Sequence, residues 1–326
     1  MVSGSKNVSF PDAGRRLPGD HAPVTRTGPA VIVLGSPSNA TNVELVAAWT
    51  TMGLECAIAE PPAGLRLGVD DIVLARLDVL PTLDGIEPGL LQLLWAERRG
   101  SIILNRAQAL LTTHDKLRTA AALDRAHLPH PSTRHVRPGE SPSQPLAPVV
   151  LKPRFGSWGR DVRLCRTDTE VVDTLREFSS RTWFRRHGVL AQEVIPTQGF
   201  DLRVLVANGR VVGAVERHPQ PGEWRTNVSV GASKQAVVPD ENARTLAVAA
   251  AEAVGADLIG VDLMPLPDGG YAVIELNGAA DFDQWYRPDG DINVEVAEAL
   301  GLTFRTGPCL PGQYRTSLGA ASRHVR

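Results

Sequence analysis

Two apolar runs near the C-terminus constrain the fold most. Gly260-Val-Asp-Leu-Met264 and Val273-Ile-Glu-Leu-Asn277 flank Asp268-Gly269, a strong turn signal. Alternating runs about such a turn form an antiparallel hairpin, and a symmetric register sets Asp262 opposite Glu275. Side chains two residues apart share a strand face. Asn277 therefore joins the two carboxylates, while Val261, Leu263, Ile274 and Leu276 are expected to pack the other way. Directly opposed like charges destabilise a sheet, so a bound cation is the simplest explanation of the pair. Two carboxylates and an amide oxygen suit a hard ion such as Mg²⁺. The alternative is a hairpin with acidic residues on a solvated face. On the cation reading, Asp262→Asn or Glu275→Gln would cut turnover with little loss of fold, because each relieves repulsion.

Composition excludes several classes. A chain of 326 residues with 43% hydrophobic and 21% charged residues is long enough for two or three domains or subdomains. A formal net charge of -2 gives no global signal for nucleic acid. Cys56, Cys165 and Cys309 are too few and too dispersed for a disulfide framework or a CxxC zinc site. No apolar run reaches the roughly 18 residues of a membrane span, and the first residues lack the apolar segment expected of a signal peptide. Together these features indicate a cytoplasmic protein.

Residues 1–28, rich in Gly, Pro, Ser and charge, read as a flexible arm. Strands are expected at Ala30 to Leu34, Glu55 to Ala59, Asp71 to Leu77 and Ser101 to Asn105, with helices at Asn42 to Met52 and Gly89 to Arg99. Such alternation predicts a small α/β domain with a mainly parallel sheet over 29–112. Gly35-Ser-Pro-Ser lacks the GxGxxG dinucleotide pattern, yet an anion would still suit the helix N-terminus that follows.

A helix is expected to open at Thr113-His-Asp-Lys116, capped by Thr113 or Asp115. Lysine in a first turn opposes the helix dipole unless it reaches an anion. Further on, a strand delivers Lys152 into Gly156-Ser157-Trp158-Gly159, and a second strand resumes at Val162. Glycines at 156 and 159 let backbone N–H groups approach phosphate oxygens, although an ordinary tight turn has the same composition. The lysine precedes the glycines, which excludes the P-loop order.

Gln192-Glu193-Val194-Ile195 ends a further strand, and Asn208-Gly209 turns the strand of Asp201 and Arg203 back towards Arg217. Arg225 follows in Trp224-Arg-Thr-Asn227. Three arginines in a strand-rich region bind carboxylate or phosphate in a forked geometry. They serve equally well as salt-bridge partners of Asp201, Glu216 and Glu223.

The ordered set Lys116, Lys152 with Gly156 to Gly159, Gln192 to Ile195, Asp201, Arg203, Arg217, Arg225 to Asn227, Asp262, Glu275 and Asn277 resembles the ATP-grasp superfamily, in particular carboxylate–amine ligases of the RimK and LysX type. The resemblance spans about Ile103 to Leu302. It implies an N-terminal α/β domain followed by two ATP-grasp subdomains, 113–190 and 191–302, with nucleotide between them; residues 303–326, with Arg305, Arg315, Arg323 and Arg326 among Pro, Gly and Ser, read as a flexible tail. It also implies that Lys116 and Lys152 contact ATP phosphates beneath the Gly156, Ser157, Trp158 and Gly159 loop. Gln192, Glu193, Val194 and Ile195 would line the adenine site, and Asp201 would take ribose hydroxyls. Arg203, Arg217 and Arg225 would hold phosphate or a substrate carboxylate. Asp262, Glu275 and Asn277 would hold one or two Mg²⁺ ions, with Mn²⁺ as an alternative. Asp161 and Gly278-Ala-Ala-Asp281 depart from the usual pattern and leave the acceptor open.

The implied reaction is ATP-dependent amide formation through an acyl phosphate, joining glutamate or another amino acid to a small molecule or a carrier-protein terminus. Other implied functions are a peptide-modifying ligase and a non-catalytic ATP-binding module. Expected partners are a small amino acid or carboxylate, a carrier protein or peptide, and further copies of the chain, with neither nucleic acid nor membrane. His187 and His218 are expected to be bystanders.

Overall fold

The structure is a computed structural model that describes residues 30–60, 71–140, 146–196 and 198–302; the arm and tail expected at 1–28 and 303–326 lie outside them. Three sheets organise the described chain.

The first is parallel, in the order β2-β1-β3-β4: β1 (Val31–Leu34), β2 (Cys56–Ala59), β3 (Ile72–Ala75) and β4 (Ile102–Leu104). Its near-continuous apolar strands are those of a sheet covered on both faces. Leu45 and Trp49 of α1 (Ala40–Thr51) pack with Val31, Val33 and Leu74, whereas Leu93 and Ala96 of α2 (Leu90–Arg98) pack with Val73 and Ile103. Asn39 caps α1 by accepting from Asn42 N at 3.0 Å. Arg76 and Gly35 leave adjacent strands at the carboxyl edge, where open α/β sheets present ligand sites.

The helix expected at Thr113-His-Asp-Lys116 forms with Asp115, not Thr113, as its cap, and a further helix precedes it. α3 (Ala107–His114) is already helical before that point, and α4 (Lys116–Arg125) begins after a break at Asp115. At the break Asp115 has extended backbone, accepts from Leu117 N at 3.2 Å as N-cap of α4, and accepts both Arg154 Nε and Nη2 at 2.7 and 2.6 Å. This junction ties the first turn of α4 to the end of the lysine strand.

The second sheet is antiparallel, in the order β5-β8-β6-β7: β5 (Thr133–Val136), β6 (Val149–Pro153), β7 (Arg163–Cys165) and β8 (Val189–Glu193). Against one face α5 (Asp168–Phe178) and α6 (Thr182–His187) bury Phe178, Trp183 and Phe184 with Leu151, Val189 and Ala191. Lys152 and Gln192 belong to the opposite face.

The third sheet carries the hairpin. Its order is β11-β10-β9-β12-β13: β9 (Asp201–Ala207), β10 (Arg210–His218), β11 (Ser233–Ala236), β12 (Leu258–Pro265) and β13 (Tyr271–Asn277). Asn208 and Gly209 have φ of 47° and 73°, the left-handed pair that a two-residue hairpin turn requires. Ala243, Ala247, Ala250 and Ala251 of α7 (Glu241–Val254) cover one face, packing on Leu202, Val204, Val206, Val261 and Leu263. The other face is divided. At one end Leu205, Ala207, Val215 and Leu258 meet α8 (Ile292–Ala299), Phe282 and Tyr286; beyond Arg203 the same face becomes charged and borders a cleft.

Asn105 joins the first sheet to the third. Fully buried at φ 57°, its Oδ1 accepts from Asp257 N and Leu258 N at 2.8 and 2.9 Å, and its Nδ2 donates to Leu258 O and Gly278 O at 2.7 and 3.0 Å. One amide thus fixes the start of β12 and the residue after β13.

Candidate nucleotide and substrate site

Asp262 lies opposite Glu275, and Gly260 opposite Asn277. The pairing arises differently from a symmetric turn about Asp268-Gly269. The turn spans Leu266 to Gly270, pairing Leu263 with Val273, and a one-residue bulge at Ile274 shifts the register back so that Asp262 meets Glu275. The bulge corrects a second expectation. Val273 takes the core position, and Ile274 lines the cleft beside Glu275.

Three cross-strand rows place the charges. Arg217 is opposite Asp201, Arg203 is opposite Asp262, and Asp262 is opposite Glu275. Arg203 donates Nε and Nη2 to Asp262 at 2.6 and 2.7 Å, and Arg217 adds Nη2 to the same carboxylate at 2.8 Å. Arg217 also forks onto Asp201 at 2.7 and 2.5 Å, and Thr226 Oγ1 donates to Asp201 at 2.5 Å. Lys116 Nζ lies 2.9 Å from Glu275 and donates to Gly156 O at 2.5 Å. Of the salt bridges expected for the arginines, Arg217 to Asp201 and Arg225 to Glu223 are formed, whereas Glu216 pairs with His218.

This network revises the electrostatic argument for a metal. The Asp262–Glu275 repulsion is already answered by Arg203, Arg217 and Lys116, so the protein's own cations account for the pair. Burial pushes the Asp262 carboxyl up, but the two arginines outweigh it and hold the group at about 2. Burial likewise raises Glu275, and Lys116 and Lys152 together more than offset it, leaving the group below the usual carboxylate range. The premise that Asp262→Asn relieves an unanswered repulsion therefore does not hold, since the substitution removes the partner of two arginines.

The donor set nevertheless fits Mg²⁺. Two ionised carboxylates and an amide share one face, and Asn277 Nδ2 has no partner among the described residues. No group of three His, Cys, Asp or Glu side chains forms a metal cluster among those residues. An ion held here would take the remaining ligands from phosphate oxygens, as Mg²⁺ commonly does.

Two cavities meet at the hairpin. One, of about 370 Å³, has an apolar wall of Val150, Leu164, Val194, Ile195, Met264 and Ile274, with Lys116, Lys152, Asp201 and Gln192 at its polar end. The other, of about 550 Å³, runs from Arg203 and Asn277 to Asn39, Thr41 and Asp281 of the segments around the first sheet. Ser157, Arg217, Asn227 and Glu275 line both. Lys152 is buried, donates to Gln192 Oε1 at 2.6 Å, and is lowered to about 8 by burial and then by Lys116. Lys116, Lys152, Arg203 and Arg217 against Asp201, Asp262 and Glu275 leave one excess positive charge at the junction, suited to a polyphosphate.

The glycine loop roofs this junction. Trp158 and Gly159 have φ of 62° and 64°; Ser229 Oγ donates to Trp158 O at 2.9 Å, and Arg225 Nη1 to Gly159 O at 3.1 Å. A Cβ at Gly159 would stand 2.7 Å from Asn227 Oδ1, so backbone conformation and close approach both require glycine. Ser157 Oγ is buried and unpartnered among the described residues. Asp161 accepts from Trp183 Nε1 at 2.8 Å and anchors the end of the loop. Arg225 lines the 370 Å³ cavity with its charge engaged by Glu223 at 2.7 Å.

Sequence reasoning missed His114, Arg76 and the role of Asp281. His114 is buried beside the larger cavity, Nε2 unpartnered among the described residues, and is lowered to about 4 by burial and then by Lys116. It is therefore neutral. Asp281 accepts from Asn39 Nδ2 at 2.7 Å, binding the segment after β13 to the cap of α1. His187 Nε2 donates to Asp84 O at 2.9 Å, and His218 contacts Glu216. No described helix is long and apolar enough to cross a membrane.

Comparison with known proteins agrees with this architecture. Residues 113–300 match the family model of the RimK-like ATP-grasp domain. The chain is 29% identical over 210 residues to a glutamate–LysW ligase, ArgX, of Sulfurisphaera tokodaii, covering 63% of this chain and 73% of that one. It is 32% identical over 213 residues to a probable alpha-L-glutamate ligase of Aeromonas salmonicida, covering 63% and 70%. A RimK domain ATP-grasp protein from Sphaerobacter thermophilus superposes with a TM-score of 0.61 at 21% identity, covering 83% of this chain and 98% of that one. The D-cycloserine synthetase DcsG gives 0.62 at 19%, covering 84% and 100%. With the family model matching more than half of its length, the chain belongs to the RimK-like ATP-grasp family of carboxylate–amine ligases.

Proposed function

We propose that the protein joins an amino acid, glutamate first among candidates, to a small molecule or a carrier-protein terminus through an acyl phosphate. The observation that carries this reading is the meeting of two cavities at one charged hairpin: an apolar-walled one suited to a nucleotide and a polar one suited to the molecules it activates. The relatives' names, a glutamate–LysW ligase and a probable alpha-L-glutamate ligase, support the choice of amino acid. In this reading residues 29–112 form the pre-ATP-grasp domain, and 113–190 and 191–302 form the two subdomains that hold nucleotide between them.

Adenine lies between Val194–Ile195 and Met264, with Asp201 near the ribose and the phosphates running towards Lys116, Lys152 and Ser157. Lys152 and Lys116 neutralise phosphate oxygens, and Ser157 Oγ supplies a hydrogen bond that the protein leaves unmade. Asp262, Glu275 and Asn277 would hold Mg²⁺, one or two ions, which when bound polarises the γ-phosphoryl group and neutralises charge on it. Arg203 and Arg217, whose guanidinium groups converge on Asp262, would bind phosphate or a substrate carboxylate at the same face. The carboxylate oxygen attacks the γ-phosphorus in line and ADP leaves. An amine then attacks the acyl carbon, losing a proton as phosphate departs. The Trp158 loop excludes water from the acyl phosphate, which otherwise hydrolyses.

Incubation with Mg-ATP, each amino acid in turn and hydroxylamine tests the proposal. An amino-acid hydroxamate formed in step with ADP supports it. ADP without hydroxamate, or AMP as the nucleotide product, refutes it.

A further inference from the structure

Beyond the junction, a third cavity of about 200 Å³ opens between the first turn of α1 and the end of β3. It is lined by Ser36, Ser38, Asn39, Arg76, Asp78 and Glu87. It shares Ser38, Asn39, Asp78 and Ala279 with the larger substrate cavity, so the two are continuous. Arg76 is its least expected feature, a guanidinium only 2% exposed. Its Nε donates to Asn42 Oδ1 at 2.5 Å and its Nη2 to Ala280 O at 2.9 Å, both neutral acceptors. The Asp281 carboxylate stands off at 3.8 Å, and Nη1 has no partner among the described residues. Buried charges are ordinarily paired and hydrogen-bonded, so this one is under-compensated.

The acidic side of the pocket is incomplete in the opposite sense. Asp78 accepts from Val79 N through Oδ1 at 2.6 Å, and its own N–H is taken by Glu87 Oε2 at 3.0 Å. No cationic side chain forms an ion pair with Asp78 among the described residues, and burial pushes its carboxyl up to about 6. A lone anion in this cavity would face Asp78 and Glu87, and a lone cation would face Arg76. A molecule that carries a cationic and an anionic group on one carbon satisfies the two sides together.

We propose that this pocket holds the head of an α-amino acid, its carboxylate on Arg76 Nη1 and the opening turn of α1, its ammonium on Asp78. The rest of the molecule runs through the larger cavity and brings its distal carboxylate or amine to the hairpin. The proposal deepens the ligase reading by stating which end of an amino-acid substrate faces away from the chemistry.

The test is calorimetric titration of the full chain, saturated with Mg²⁺ and a non-hydrolysable ATP analogue, with each of the proteinogenic L-amino acids. The expected result is that one or more binds, and that its analogues lacking the α-amine or the α-carboxylate bind at least about ten-fold more weakly, the scale of one charged hydrogen bond. Arg76→Gln and Asp78→Asn should each weaken that amino acid by about ten-fold or more and leave the ATP analogue's affinity unchanged. Should Arg76→Gln fail to fold, the near-isosteric Asp78→Asn and the two analogues carry the test. No binding by any amino acid overturns the proposal, and so does binding indifferent to Asp78→Asn and to loss of the α-amine. Intact amino-acid binding with no hydroxamate and no ADP would remove the ligase reading while leaving the pocket assignment in place.

Discussion

Replacing Asp262 by asparagine removes the charge on which two buried arginines converge. Arg203 has its ion pair with Asp262 alone among the described residues, whereas Arg217 keeps Asp201. The Arg203 and Asp262 side chains are 15% and 4% exposed, so solvent compensates the loss only in part. Breaking a buried pair from one side costs about 3–5 kcal/mol, and the retained Arg217–Asp201 bond places this case near 3. At roughly 2–4 °C per kcal/mol for a chain of this size, the melting temperature should fall by about 6–12 °C. Glu275→Gln loses only the Lys116 pair, 11% and 20% exposed, and should cost about 1 kcal/mol. Chemical denaturation and calorimetric melting of both variants without nucleotide measure the difference. Equal stability of the two variants, or an Asp262→Asn protein as stable as the unmutated one, would refute the reasoning that the arginines, and not a metal, answer this carboxylate in the free protein.

The remaining predictions concern the cleft and its supports. Lys152, lowered to about 8 from 10.5, is charged at neutral pH and partly neutral above 8; bound phosphate favours its charged form. Nucleotide binding near pH 8.5 should therefore take up protons, seen as a buffer-dependent binding enthalpy, and affinity should fall as pH rises through that range. Because the unfolded chain binds more protons than the folded one between about 8 and 10.5, the same group makes stability rise with pH across that window. Asn105→Ala should destabilise the protein by about 2–4 kcal/mol in denaturant titration, since it removes partners of buried N–H and C=O groups on β12 and Gly278. Gly159→Ala should raise the KM for ATP at least ten-fold and lower the melting temperature, because the backbone is left-handed there and the Cβ pushes Asn227 from beneath the loop. Chelation of divalent ions with EDTA should abolish ADP formation, and added Mg²⁺ should restore it.

Much of the architecture was readable from pattern. The four strands of the first sheet and helices α1 and α2 follow from apolar periodicity bounded by Gly and Pro, because each element buries one face in an ordinary core. The hairpin pairing of Asp262 with Glu275 was reached by assuming a symmetric turn, whereas the molecule reaches it by a longer turn and a bulge at Ile274. A bulge has no local sequence signature, so the misassigned face of Ile274 was beyond periodicity. α3 was missed because Ala107 to His114 is buried on most sides, polar Thr112, Thr113 and His114 included, so no amphipathic stripe marks it, and it lacks a capping residue at Arg106. The arginine roles turned on register. Sequence offered Asp201, Glu216 and Glu223 as partners, and only the pairing of β9 with β12 reveals Asp262 as the acceptor for Arg203. Arg76 carried no signal at all, since its significance depends on meeting Ala280, more than two hundred residues away.

The account rests on transfer of the γ-phosphoryl group to a carboxylate, and oxygen-18 tracing tests that step directly. The carboxylate substrate identified by hydroxamate formation is labelled in its carboxyl oxygens and converted with Mg-ATP and hydroxylamine. Attack of the carboxylate on the γ-phosphorus predicts one labelled oxygen in the released inorganic phosphate and none in the nucleotide. Label in AMP, or phosphate free of label while hydroxamate accumulates, would contradict it.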